Sequence, residues 1–295
     1  MNHSPVIFGE VLFDCFPDGS RVLGGAPFNV SWHLQAFGVT PLLISRVGDD
    51  PLGRQVKAAM QEWGMDASGL QLDSAHPTGI VEVTLSGGEP HYDIVRDRAW
   101  DFVDAAYLPP LPDGGVLYYG TLALRNKVSA AALGRIKQIS SLPAFIDINL
   151  RPPWWTESLV SQVISEGRWL KLNADELALI VPREGNTDDR IRHLFETLPL
   201  QYLIITGGSA GAIAVSAGGE RYRITPGEKT EVVDTVGAGD AFSSVFLLGQ
   251  LKGWPIQQTL ERAQVFASAI VGNRGATVSD KKFYQPFIDS WKLTG

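Results

Sequence analysis

The sequence is poor in cysteine, in histidine and in long apolar runs. Its single cysteine, Cys15, excludes a disulfide framework and is typical of a reducing compartment. Its five histidines stand at no metal-ligand spacing, which argues against a zinc site. Residues 1–8 lack the pattern of a secretory signal, and the apolar run 241–248 is far short of the ~18 residues of a membrane span. These absences predict a cytoplasmic protein that does not cross a membrane.

A basic excess is also missing. The 25 lysines and arginines are outnumbered by 32 aspartates and glutamates, so the formal net charge is −7. A general nucleic-acid binder presents a basic face and a membrane-surface protein presents a polybasic segment, so we expect neither kind of partner. With 44% hydrophobic and 19% charged residues, the chain has enough apolar material for a folded core.

Short strand-like runs alternate with helical patterns along the chain. Strands are predicted at 6–13, 42–47, 116–120, 144–148, 169–172 and 202–206. Helices are predicted near 27–37, 51–63, 128–139, 157–166, 174–181, 187–197, 238–251 and 256–272. Several strands are continuously apolar, as strands covered on both faces are. This alternation predicts an α/β fold with a mainly parallel sheet between helices.

Two hairpins interrupt this pattern. Residues 79–86 and 89–96 flank the dipeptide Gly87-Gly88, which is a good signal for a two-residue hairpin loop. The segment predicts a small sheet set apart from the main one. A second hairpin is predicted from 202–208 and 211–217.

Some familiar motifs are absent or fail on context. The chain has no Walker-type phosphate loop. The run 207–211, Gly-Gly-Ser-Ala-Gly, matches the nucleophile elbow of hydrolases. However, a predicted strand rather than a helix follows it, and every histidine precedes Ser209, whereas that fold places its histidine after the serine.

The strongest motif is Asp-Thr-Val-Gly-Ala-Gly-Asp at 234–240, directly before a predicted helix. Gly237 and Gly239 let consecutive N–H groups point in one direction, and the helix adds its free N–H donors and the positive end of its dipole. The result is an anion-binding nest. Asp240 alone could be a helix cap. The two glycines and the second carboxylate of Asp234 favour a base that takes a hydroxyl proton beside a bound phosphoryl group.

Two further motifs support a binding site. Gly24-Gly25-Ala26-Pro27-Phe28-Asn29 enters a helix, its glycines permit close approach of a ligand, and Asn29 can donate to and accept from a hydroxyl. A plain turn and cap would explain this run equally well. Asn173 and Glu176 follow a strand and share one helix face at the edge where open α/β sheets bind ligands. Alone, this pair could be an ordinary cap.

Together the runs 24–29 and 234–240 resemble the PfkB-type (ribokinase-like) sugar kinases, and the similarity extends over nearly the whole chain. The resemblance implies a three-layer α/β sandwich with a mainly parallel central sheet and a small β lid. It implies one catalytic domain over 1–295, with the lid formed by about 10–23 and 78–98. It also implies transfer of the γ-phosphoryl group of ATP to a sugar hydroxyl. Lid edges pair in many members, so a homodimer through the lid is a further implication.

The resemblance also assigns roles to residues. The catalytic base matches Asp240, and the anion hole matches the backbone of Gly237, Ala238 and Gly239. Sugar contacts match Asp14, Gly25 and Asn29. The motif that organises Mg²⁺ and phosphate matches Asn173 and Glu176. The nucleotide loop matches Thr206, Gly208 and Gly211. A monovalent cation such as K⁺ would lie at Asp234, Val236, Ile270, Asn273, Gly275 and Ser279, although Asn273 replaces the arginine common in ribokinases.

The expected sugar is D-fructose, phosphorylated at the 6-hydroxyl. Ala26-Pro27 and the run 147–155 are similar to the fructokinase branch, whereas ribokinases usually carry Lys-Gly in place of Ala26-Pro27. Phosphorylation at the 1-hydroxyl, 2-keto-3-deoxygluconate as the substrate, and a non-catalytic sugar-binding regulator are the alternatives. Arg151 is a candidate sugar ligand or an ion-pair partner of Asp147. Arg96 is a candidate substrate contact or a solvated surface residue.

Overall fold

A computed structural model describes residues 4–86, 89–182, 185–227 and 233–293. Within these residues the strands are β1 (Val6–Phe8), β2 (Leu12–Cys15), β3 (Arg21–Gly24), β4 (Leu42–Gly48), β5 (Leu70–Asp73), β6 (Gly79–Ser86), β7 (Glu89–Ile94), β8 (Leu117–Tyr119), β9 (Ala144–Asp147), β10 (Gly167–Asn173), β11 (Tyr202–Thr206), β12 (Ala212–Ser216) and β13 (Arg221–Ile224). The helices are α1 (Ala26–Ala36), α2 (Pro51–Trp63), α3 (Lys127–Ile139), α4 (Glu157–Ile164), α5 (Ala174–Ile180), α6 (Thr187–Thr197), α7 (Ala238–Lys252), α8 (Ile256–Val271) and α9 (Lys281–Trp291).

Nine strands form the larger sheet in the order β13-β12-β11-β10-β9-β8-β1-β4-β5. The pairs from β11 through β10, β9, β8, β1 and β4 to β5 are parallel. The hairpin β11–β12 and the edge strand β13 add antiparallel pairs at one end. The prediction of a mainly parallel sheet is confirmed.

The sheet separates two hydrophobic clusters because successive side chains on a strand point to opposite faces. In β1, Ile7 lies in the cluster packed against α1, α7 and α8, and Val6 and Phe8 lie in the other, packed against α3 and α4. All three are fully buried. This two-sided burial explains why the strands are continuously apolar.

The predicted single strand over 6–13 is wrong. The segment forms two strands, β1 in the larger sheet and β2 in a second sheet. Gly9 lies between them with φ +151°, and a Cβ there would overlap Pro27. A conformation that only glycine adopts easily therefore turns the chain from one sheet to the other.

The second sheet has four strands in the order β3-β2-β6-β7, drawn from 12–24 and 79–94. β2 pairs antiparallel with β3 and parallel with β6, and β6 and β7 form the first predicted hairpin. The predicted loop residues Gly87 and Gly88 lie outside the described residues. That this sheet is a lid over 10–23 and 78–98 stays a prediction. Among the described helices, none is both long and apolar enough to cross a membrane.

Candidate active site

The candidate residues collect at one edge of the larger sheet. Asp147, Asn173 and Thr206 are the last residues of β9, β10 and β11, which run parallel. Helix α7 also begins here, because Ser243 in its first two turns donates a hydrogen bond to Asp147. The carboxyl edge of a parallel sheet is where α/β proteins bind their ligands.

The predicted nest at 237–239 lies at the start of α7. Gly237 is the N-cap of α7 with φ +80°, and a Cβ there would overlap Ala276. Within the described residues, the N–H groups of Gly239 and Asp240 have no hydrogen-bond acceptor. Two such donors at the positive end of a 15-residue helix are groups that favour an anion, so the anion site stays a prediction.

Asp240 is not a helix cap, since Gly237 holds that position without any side-chain hydrogen bond. Instead, the Oδ2 atom of Asp240 accepts a hydrogen bond of 2.8 Å from the Nδ2 atom of Asn29 in α1. Asn29 is only 4% exposed, yet its Oδ1 atom has no hydrogen-bond partner among the described residues. Because a buried acceptor without a donor costs free energy, this atom is a candidate acceptor for a ligand hydroxyl.

Asn29 faces a second carboxylate. A Cβ on Gly24 would lie 3.7 Å from Asn29 Oδ1 and 3.9 Å from Asp14 Oδ2, so both oxygens flank the same glycine. The next residue, Gly25, has φ +106°, and a Cβ there would lie 2.7 Å from the carbonyl oxygen of Glu10. Gly25 thus allows a close approach between two segments of the chain itself, and the predicted close approach of a ligand stays a prediction.

The site concentrates buried acids. Burial raises the pKa of Glu10 to about 7 and the pKa of Asp14 to about 6. Burial also raises the pKa of Asp240, while the hydrogen bond from Asn29 lowers it. The positive charge of Arg151 lowers the pKa of all three groups.

The alternative in which Arg151 pairs with Asp147 is wrong. Asp147 forms its ion pair with Lys171, whose Nζ atom lies 2.8 Å from Oδ2. Arg151 is exposed.

Asn173 and Glu176 form a reciprocal cap on α5. The side chain of each accepts a 2.8 Å hydrogen bond from the backbone N–H of the other. The Oε1 atom of Glu176 also accepts from the N–H of Leu150 at 2.7 Å. The motif therefore is a cap, and it also fixes a buried carboxylate at the ligand-binding edge.

The loop after β11 is shaped by glycine. Gly208 and Gly211 have φ +55° and +88°, and the Oγ1 atom of Thr206 donates to the carbonyl of Leu172 at 3.4 Å. A Cβ on Gly211 would overlap the carbonyl oxygen of Ile224. β12 follows this loop, so the rejection of a nucleophile elbow is confirmed.

The six residues predicted to surround a monovalent cation share one loop region, but several are already engaged. Asp234 accepts from the N–H groups of Val236 and Gly275, at 2.9 and 3.0 Å. The carbonyl of Ile270 accepts from the N–H of Asn273 at 2.8 Å, and the Asn273 amide donates to Ala269. Ser279 is exposed. In the described part of the chain, no cluster of three or more His, Cys, Asp or Glu side chains could hold a metal.

Arg96 lies apart from the acids. Its guanidinium stacks on Trp154, 4.7 Å from the ring centroid. Arg125 covers another part of the same ring at 4.3 Å. Arg96 thus belongs to an aromatic cluster where β7 leaves the second sheet.

Comparison with known proteins decides the family. The model of the pfkB family of carbohydrate kinases matches residues 15–282. The chain belongs to this family. Fructokinase from Klebsiella pneumoniae is 33% identical over 266 residues, covering 84% of this chain and 85% of the relative. Fructokinase from Salmonella typhimurium is 29% identical and covers 94% and 95%.

Solved structures show the same fold. Fructokinase from Vibrio cholerae O395 with fructose, ADP and calcium ion superposes with a TM-score of 0.83 at 21% identity, covering 96% of this chain and 98% of the other. Fructokinase from Xylella fastidiosa with bound ATP gives 0.85 at 18% identity, covering 99% and 100%. The expected fold is confirmed, and this pfkB kinase is a sugar phosphotransferase.

The structure of this pfkB kinase adds residues that the sequence reasoning did not single out. Lys171 and Glu10 are 5% exposed beside the site, and Tyr118 and Ser243 donate to Asp147. A signal was present, since each charged residue interrupts an otherwise apolar strand run. The sequence pattern alone does not show which oppositely charged group each of these residues contacts.

Proposed function

We propose that this kinase transfers the γ-phosphoryl group of ATP to D-fructose, with fructose 6-phosphate as the product. The observation that carries the proposal is the Asn29–Asp240 hydrogen bond beside the free N–H donors of α7. It puts a carboxylate, an unpartnered amide oxygen and an anion site together. Relatives named fructokinase support the choice of sugar.

The sugar lies between the carboxyl edge of the larger sheet and the four-stranded sheet. Asp14 and Asn29 accept hydrogen bonds from its hydroxyl groups, since both offer oxygens at the site. The backbone at Gly25 lines the pocket, and Arg151 adds the positive charge that holds ionised acids there.

Asp240 accepts the proton of the attacking hydroxyl as the oxygen approaches phosphorus. The nest at Gly237, Ala238 and Gly239 holds the charge that gathers on the transferred group, with the free N–H groups of Gly239 and Asp240 as its donors, since the N–H of Ala238 is already donated to the carbonyl of Thr235 at 3.4 Å. In phosphoryl transfer this positioning and electrostatic stabilisation supply most of the rate.

ATP lies along the same edge. The loop of Thr206, Gly208 and Gly211 follows its phosphates. The reciprocal cap between Asn173 and Glu176 holds the Glu176 carboxylate near these phosphates. When bound, Mg²⁺ would neutralise phosphate charge. Glu176 would hold it through a bridging water, because its carboxylate oxygens keep lone pairs free. Asp234 is the charged group suited to K⁺ among the six loop residues.

The four-stranded sheet acts as a lid. Its closure excludes water and so protects ATP from hydrolysis. The edge strands β3 and β7 leave backbone groups for pairing with a second copy of the chain.

An ADP-release assay tests the proposal. Purified enzyme with ATP, Mg²⁺ and one acceptor at a time is tested on D-fructose, D-ribose, 2-keto-3-deoxygluconate and adenosine. We expect the highest kcat/KM for fructose, with the phosphate on the 6-hydroxyl by NMR of the product. A higher kcat/KM for another acceptor would identify that acceptor, instead of fructose, as the substrate. Sugar binding by calorimetry with no ADP release from any acceptor contradicts the catalytic function.

A further inference from the structure

A buried ion pair lies directly behind the candidate base. Lys171 in β10 and Asp147 in β9 are register partners in the sheet, and their side chains are 7% and 4% exposed. Replacing such a pair by apolar residues is often neutral or stabilising. Stability alone therefore does not explain why a charged pair lies here.

Hydrogen bonds connect the pair to the first turn of α7. The hydroxyl of Ser243 lies 2.7 Å from Asp147 Oδ2 and 2.9 Å from the carbonyl oxygen of Gly239. Tyr118 donates to the same carboxylate oxygen at 3.3 Å. A Cβ on Gly239 would lie 3.5 Å from Lys171 Nζ, so the ammonium group lies beside the nest at Gly239, one residue before Asp240 in the chain.

The ammonium group is only partly satisfied. It carries three N–H donors, and within the described residues a single acceptor, Asp147 Oδ2, is in hydrogen-bond range. The other two N–H donors therefore have no acceptor among the described residues.

The charges around Asp240 come from several elements. Glu10 follows β1, Tyr118 lies in β8, Asp147 ends β9, Arg151 follows β9 and Lys171 lies in β10, and each acts electrostatically on Asp240 or shares its surroundings. Asn29 in α1 supplies the direct hydrogen bond. Asp147 raises the pKa of Asp240 and Lys171 lowers it, so the two members of the pair act in opposite directions.

We propose that Lys171 is a positioning residue whose charge, held in place by Asp147, keeps the Asp240 carboxylate ionised and ready to accept a proton. The proposal rests on the proposed role of Asp240 as the base. Asp147 holds the lysine and, with Ser243, fixes the helix turn that carries the base.

The direct test is an NMR titration of Asp240. Protein is labelled with ¹³C at the Cγ atom of aspartate, and the Asp240 resonance is identified by its absence in Asp240→Asn. The titration compares wild type with Lys171→Met, Lys171→Arg, Asp147→Asn and the double variant Lys171→Met/Asp147→Asn.

The two single neutral variants should move the titration in opposite directions. We expect the midpoint of Asp240 to rise by about 1 pH unit in Lys171→Met and to fall by a similar amount in Asp147→Asn. Lys171→Arg keeps the charge and should titrate like wild type. The double variant removes both charges and should return close to wild type.

A midpoint that does not move in Lys171→Met, or that moves in the same direction in both single variants, overturns the proposal. Should Lys171→Met fail to fold, Lys171→Gln replaces it: a raised midpoint supports the proposal and an unchanged one overturns it.

Kinetics separate this inference from the proposed function. The acid limb of kcat/KM for the sugar should follow the NMR midpoints across the variants. If the wild type phosphorylates no acceptor, the proposed function fails, while the titration still measures the effect of the ion pair on Asp240. If the wild type is active and its acid limb ignores both single variants, the inference fails alone.

Discussion

At the residue scale, Asp240 is a carboxylate whose burial opposes its charge and whose hydrogen bond from Asn29 supports it. Asp240→Asn keeps the shape and removes the proton acceptor. We expect kcat to fall about 10²–10⁴-fold, the usual contribution of a positioned base. The affinity for ATP, measured by calorimetry, should stay within a few-fold because the nest remains. Near-normal turnover in this variant would assign the base elsewhere.

The unpartnered oxygen of Asn29 leads to a second prediction. Asn29→Ala should raise KM for the sugar and leave KM for ATP little changed, since the lost oxygen belongs to the proposed sugar pocket. Ser31→Ala is the matched control: it lies in the same helix, is also buried, and among the described residues its hydroxyl donates only to the carbonyl of Pro27. Steady-state kinetics on both variants check this. A rise in KM for ATP alone would mean that the two pockets have been exchanged.

Glu10 gives the folded protein a pH dependence of its own. Burial raises its pKa from an ordinary 4.5 to about 7, so the folded state keeps a proton that the unfolded chain releases. Stability from this group is therefore lost as pH rises from about 4.5 to about 7. Glu10→Gln should remove this pH-dependent loss of folding free energy, which is on the order of 3 kcal/mol.

Urea unfolding at pH 5 and pH 8 measures the Glu10 effect. Between these two values, wild type should lose more free energy of unfolding than Glu10→Gln. The exposed Glu196→Gln should behave like wild type. Parallel pH profiles for wild type and Glu10→Gln would contradict the assignment.

At the scale of an element, the two ends of α7 offer a matched pair of glycines. Gly237 and Gly253 cap the helix with φ +80° and +66°, so alanine costs about 1–2 kcal/mol at either. A Cβ on Gly237 also overlaps Ala276, whereas a Cβ on Gly253 meets nothing within 4 Å. Both variants should unfold at lower temperature, but only Gly237→Ala should lose turnover. Equal kcat in the two variants would show that the nest geometry is not needed.

The elements also show how far sequence patterns reach. Strongly apolar strands and periodic helices were predictable, because burial on both faces dictates their composition. Edge strands were not: β5 has four residues, and β13 alternates exposed and half-buried positions. Helix α9 was missed because it contains Pro286, which ordinarily ends a helix.

The candidate site was predictable as far as backbone rules reach. The two glycine runs require particular conformations, so they identify the nest and the start of α1. The partners of Lys171 and Glu10 depend on which strands lie side by side, and spacing along the chain does not contain that information. The same is true of Asn29, whose partner is 211 residues away.

At the scale of the whole molecule, one cluster joins the two sheets. Arg125 donates to the carbonyl oxygens of Ile94 and Val95, where β7 ends, and lies between the rings of Trp100 and Trp154. Asp101 pairs with the same guanidinium at 2.7 Å. Because this cluster holds the exit from the second sheet, it restrains how that sheet moves against the body.

Trp154→Ala should therefore loosen the second sheet. Hydrogen exchange of the amides in β6 and β7 should become faster, and ATP hydrolysis without sugar should rise. Trp254→Ala is the control, because Trp254 also lies under an arginine, Arg262, but in the opposite part of the body. Unchanged exchange in Trp154→Ala, or equal acceleration in both variants, would contradict this role.

The contact between Asn29 and Asp240 also has a consequence for synthesis of the protein. The ribosome makes α1 early and α7 late, and long-range contacts of this kind are slow to form in folding. Under the proposed function, a growing chain contains Asn29 of the sugar pocket before it contains the nest or Asp240. Nascent and truncated chains should then not hydrolyse ATP, and phosphoryl transfer should begin only when the C-terminal helices have packed onto the first strands.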